Sequence, residues 1–119
     1  MKKILSTLWL SFAALFFLSA QIPQAFNYQA VVRDASGQIS ANQEVSFRIT
    51  IRQGSPGGNV VYKEIHLDTT NEFGLSTLAI GAGNPVAGSF NLINWSLGGY
   101  YLQIELDAAG GNNYNDMGT

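Results

Sequence analysis

The sequence predicts an all-β fold, an antiparallel β-sandwich preceded by a signal peptide helix. Three observations carry the prediction. The segments EVSFRITIRQ (44–53) and YYLQIELD (100–107) alternate apolar and polar residues with period two, the mark of a half-buried strand. Turn-forming clusters recur at short intervals, and all 13 glycines lie beyond residue 20. No stretch after that point carries the 3.6-residue period of an amphipathic helix.

At the amino terminus Lys2 and Lys3 precede an uncharged run from Ile4 to Ala20. This is the layout of a secretory signal, with Ser19 and Ala20 offering a cleavage site before Gln21. A retained membrane anchor is the alternative, and the run stands at the short end of what spans a bilayer. The expected domains are therefore a signal peptide over 1–20 and one sandwich module over 21–119, secreted or held at the cell surface. Membrane contact is expected only through the signal segment during export.

Beyond residue 20, Arg33, Arg48, Arg52 and Lys63 stand against all eight carboxylates, a formal charge of about −4. Nucleic acid is excluded as a partner, because phosphate binding needs clustered cations. The chain has no Cys. A lipid attached through cysteine is excluded, and the exported domain has to be held by its apolar core without disulfides.

In order along the chain, the first strand lies in FNYQAVV, with Phe26, Tyr28, Ala30 and Val32 facing inward, and DASG (34–37) turns it. In 44–53, Val45, Phe47, Ile49 and Ile51 share one face and Arg48 and Arg52 the other. Burial of those four apolar side chains contributes roughly 6–12 kcal/mol before entropy is counted. A one-residue slip would bury the arginines, so the register is strongly specified. In 60–68 the expected inward residues are Val61, Ile65 and Leu67, leaving Tyr62, Glu64 and His66 outward. LSTLAI (75–80) is apolar on both parities. In 100–107, Tyr100, Leu102, Ile104 and Leu106 face inward. After GGNNYNDMGT the pattern starts something apolar at Tyr114 and Met117 and stops before a strand completes. The expectation is a sandwich lacking its final strand, with an open edge.

The blocks FNYQAVVRDASGQ, ANQEVSFRITI, VVYKEIHLDTTNEFGLSTLAIGAG and INWSLGGYYLQIELDAAGGNNYNDMGT together resemble the amino-terminal β-sandwich module of large secreted or surface bacterial proteins. Many of these carry tail-fibre-like, collagen-like or adhesin-like regions downstream. In that family the DMGT block leads into another strand ending near Pro-Tyr-Ala, absent from this sequence. TTNEFG followed by an apolar strand is also similar to turns in immunoglobulin-like and transthyretin-like modules. The resemblance implies a presentation or spacer role, with downstream domains of the same polypeptide as partners. It supplies no catalytic motif, and no cofactor is expected.

The chemical candidates are few. His66 is the one histidine, and a metal site or a nucleophile triad needs convergent partners. No Ser stands in a G-x-S-x-G elbow. Asp107, Asn112, Asn113, Asn115 and Asp116 form an oxygen-rich stretch that is a candidate for Ca²⁺, as to a lesser degree are Asp68, Asn71 and Glu72. The plainer reading is that turns use these residues. Tyr62, Trp95, Tyr101 and Tyr114 are candidate platforms for sugar rings, against a plainer reading in which Phe90, Ile93 and Trp95 plug one end of the sandwich. DTT (68–70) resembles an O-glycosylation motif that some bacteria use on exported proteins, which marks Thr69. NWS (94–96) matches a eukaryotic triplet that carries little weight in a bacterial-looking protein. The function expected is a non-catalytic structural or presentation module, the alternative a small module for glycan or calcium.

Overall fold

The structure is a computed structural model that describes residues 25–119. The expected signal peptide lies outside the described residues. Seven strands form: β1 (Phe26–Val31), β2 (Glu44–Gln53), β3 (Asn59–Thr69), β4 (Leu75–Ile80), β5 (Asn84–Ala87), β6 (Tyr100–Asp107) and β7 (Asn115–Gly118). Two 3₁₀ turns, Phe90–Leu92 and Trp95–Leu97, bridge β5 and β6. All strand pairs are antiparallel, in a five-stranded sheet ordered β5-β3-β2-β6-β7 and a two-stranded sheet β1-β4. The two sheets pack as a β-sandwich.

The core follows from the alternation of β2. Val45, Phe47, Ile49 and Ile51 are all buried, and their direct neighbours on β6, Leu102, Ile104 and Leu106, lie on the same face. Val32, Leu78 and Ile80 close this layer from the other sheet. Of the two apolar parities of LSTLAI, the one carrying Ser76, Leu78 and Ile80 is buried.

Because β2 is central, its second face is covered as well. Ser46 and Thr50 are fully buried. Arg48 and its register partner Glu105 form a two-pronged ion pair, Nε to Oε1 at 2.9 Å and a terminal nitrogen to Oε2 at 2.6 Å. The Tyr114 ring lies 4.5 Å from the Arg48 guanidinium, and its hydroxyl is 2.6 Å from Ser46 Oγ. Tyr114 thereby fastens the loop before β7 onto β2.

Two expectations are corrected. The tail that the sequence pattern stops short of a strand forms one, the four-residue β7 paired to β6. In β3 the faces are the reverse of the expected ones. Register sets Tyr62, Glu64 and His66 opposite Ile51, Ile49 and Phe47, so this polar row faces the core. Ile65 is turned to the outer face and Leu67 is 65% exposed. Val61 is the extra residue of a bulge where pairing passes from Ile51–Tyr62 to Arg52–Val60.

Candidate functional site

The inward row of β3 gathers the side chains best suited to chemistry. Glu64 is 0% exposed, at a depth where a carboxyl group has to be hydrogen-bonded. The turn between β4 and β5 supplies the partners: the Gly81 amide donates to Oε1 at 2.8 Å and the Gly83 amide to Oε2 at 3.2 Å. His66 Nε2 bonds the same Oε2. A Cβ at Gly83 would stand 2.5 Å from both Glu64 Oε2 and His66 Nε2, so a larger residue there has to displace this pair. One step along the row, Ser76 Oγ on β4 donates to Asp68 Oδ2. Tyr62 is 1% exposed, and burial, with the Glu64 carboxyl beside it, pushes its phenol well above the ordinary tyrosine range. Glu64, His66, Asp68 and Ser76 thus bond one another or the backbone, and Glu64 and Ser76 are closed to solvent.

The second feature is aromatic. Ring centroids step from Phe26 to Phe90 (6.2 Å), Phe90 to Trp95 (5.6 Å) and Trp95 to Tyr100 (5.1 Å), with Tyr62 reaching Phe90 at 5.4 Å. The last three contacts are edge-to-face, a geometry the ring quadrupoles favour. Phe90 is buried and Ile93 packs against the core, so these two do plug the sandwich end. Trp95 stays 47% exposed. Together with Phe26, Ile51, Tyr100, Tyr101 and Leu102 it lines an open cleft of about 140 Å³. The Tyr100 hydroxyl is spent on Asn94 O at 2.6 Å. Of the four expected platforms, Trp95 and Tyr101 meet at this cleft. Tyr62 is a correction, because it lies in the core, and Tyr114 is taken up by Arg48 and Ser46.

Residues 27–118 match the family model of a domain of unknown function, DUF8740. The chain belongs to this family. No curated protein and no solved structure matches it. The DUF8740 match runs from the second residue of β1 to the last of β7, so it contains the polar row and every lining residue of the aromatic cleft except Phe26.

Within the DUF8740 domain the expected calcium residues do other work. Asp107 ends β6, and its carboxylate accepts the amides of Ala109 (2.9 Å) and Asn113 (3.0 Å), which hold its pKa below the usual range. Asn115 and Asp116 are successive residues of β7, pairing Leu106 and Glu105, and so point to opposite faces. Asp116 caps Gly118 N at 2.9 Å, and Asn112 is exposed. Asp68 is bonded to Ser76, while Asn71 Oδ1 closes its own turn by accepting Phe73 and Leu75 amides. Among the described residues no three His, Asp or Glu side chains come together as a metal site. Thr69 is exposed at the end of β3, whereas Thr70 beside it is buried, its hydroxyl bonded to Ser40 O and Gln43 N.

Sequence reasoning left Glu64 out of every candidate group. One signal pointed to it: a Glu flanked by Tyr62 and His66 at i±2 shares their strand face whichever way that face turns.

Proposed function

We propose that the chain is a non-catalytic, exported β-sandwich module that serves as a structural or presentation domain at the head of a larger cell-surface or secreted protein. The observation that carries this reading is the saturation of the polar row: Glu64 is held by two backbone amides and His66, all within the fold. Catalytic acids and bases work from a cleft with a partner reserved for substrate, whereas these groups are spent on one another. Lys2, Lys3 and the uncharged run to Ala20 support export with cleavage near Ala20. The likeness to head modules of proteins with tail-fibre-like, collagen-like or adhesin-like regions supports downstream domains of the same polypeptide as partners.

The cleft of Trp95 and Tyr101 favours a second reading, a small glycan-binding module, since an exposed indole and a phenol side by side suit a sugar face. Surface proteins or glycans would then be partners. Exposed Thr69 in DTT is a site for O-glycosylation on the exported chain.

Mass spectrometry of the protein recovered from intact producing cells tests the first reading. It predicts an amino terminus near Gln21 in the medium or on the cell surface, within a chain that continues past Thr119. An intact Met1 terminus in the inner membrane would contradict it.

A further inference from the structure

The four sheet edges are not equally protected. β5 carries Pro85 and a bulge opposite Lys63 and Glu64, and β7 has four residues and a bulge opposite Ile104 and Glu105. Proline, bulges and shortness are how edges are kept from pairing. The far edge of β4 is closed at both ends by its own turns, Asn71 N donating to Leu75 O at 3.0 Å and Ala82 N to Ala79 O at 3.1 Å. β1 has no such device. The Val32 amide donates to Gly74 O at 2.8 Å, which assigns the even-numbered residues to the β4 ladder. Asn27, Gln29 and Val31 therefore direct their N–H and C=O groups away from β4, and among the described residues β1 pairs only with β4.

That free edge looks onto uncovered apolar surface. The five-stranded sheet opposes a sheet of only two strands. At one end of β1, Phe26 borders the cleft over Tyr101 and Leu102. At the other, Arg33 and Asp34 border a hollow of about 310 Å³ over Leu106 and Met117, and Met117 is 61% exposed.

We propose that the free edge of β1 docks an extended segment of a partner polypeptide, apolar at alternate positions, which adds as a third strand to the β1-β4 sheet. The open amide row specifies the extended backbone, and the surface of Leu102 and Met117 specifies the alternation, because only every second side chain of such a strand points down. An apolar side chain at one end seats in the cleft beside Trp95. This docking goes beyond the structural role above and stands without it.

The test extends the full chain after Thr119 by a Gly-Ser linker and a segment of alternating Thr and Val, the tether raising its local concentration to about millimolar. The control carries the same residues with the Val contiguous. Amide hydrogen exchange at Asn27, Gln29 and Val31 is expected to slow tenfold or more with the alternating segment only, and Met117→Glu is expected to reverse this. Gln29→Pro, which deletes one outward N–H, is a second check, read at Asn27 and Val31 after the circular dichroism spectrum has shown the fold intact. Unchanged exchange at the three amides, or equal slowing by both segments, would overturn the proposal. So would protection of those amides in the unextended chain together with sedimentation as a dimer, which would assign the edge to a second copy.

Discussion

Glu64 of β3 stands directly opposite Ile49 of β2, and both are fully buried on the core-facing side of the sheet. A carboxyl group in the middle of an apolar layer is tolerable only with its hydrogen bonds made. The Gly81 and Gly83 amides and the His66 imidazole make them. The turn from β4 to β5 is in this way tied to the middle of β3 from across the core.

The reversed faces of β3 predict unequal mutational costs. Tyr62→Ala is expected to destabilise the domain by about 3–5 kcal/mol, while Leu67→Ala stays within about 0.5 kcal/mol. Urea unfolding of the two variants checks this. Equal costs would return Leu67 to the core.

This strand also marks the limit of what the sequence made legible. In β2 and β6 one parity is uniformly apolar and carries no charge, so the local pattern alone decides the face. In β3 Val61, Ile65 and Leu67 oppose Tyr62, Glu64 and His66, and local hydrophobicity favours the wrong side. The choice is made by register with β2, by the bulge at Val61, and by two glycine amides 17 and 19 residues further on. Tyr114 was unreadable for the same reason, since its partner Ser46 is 68 residues away. The Asn71 turn rests on near neighbours and was legible.

Gly83→Ala places a methyl group against Glu64 and His66, and overpacking of this kind costs about 1–3 kcal/mol. Thermal melting of the variant is expected to show the loss. An unchanged melting temperature would mean that the β4–β5 turn does not press on the pair.

Alkaline titration tests the burial of Tyr62. Its folded-state pKa is raised above the unfolded value of about 10, so its contribution to stability is whole below that pH and is lost as pH rises beyond it toward the folded value. Phenolate absorbance is expected to show a tyrosine step that appears only as the β circular dichroism signal is lost, and Tyr62→Phe is expected to remove that step. Ionisation of all five tyrosines in the folded protein would contradict the placement.

Asp107 supplies the acid limb. Its folded pKa is depressed by the Ala109 and Asn113 amides, so its contribution is present above the unfolded value of about 3.9 and is lost as pH falls through the folded one. Asp107→Asn is expected to lower stability at pH 7 and to flatten the fall between pH 5 and acid, followed by urea midpoints. A variant with the parent's acid profile would assign that fall to other carboxylates.

The central claim is that the polar row serves the fold rather than a reaction, and the stability of Glu64→Ala tests it most directly. Removing the carboxyl leaves two amides and an imidazole unpaired in the interior, and leaving a buried donor unsatisfied costs about 1–3 kcal/mol. The account predicts a loss of that size in equilibrium unfolding. A Glu64→Ala protein as stable as the parent, or more so, would contradict it, because groups held for function at a cost to the fold are the ones whose removal stabilises.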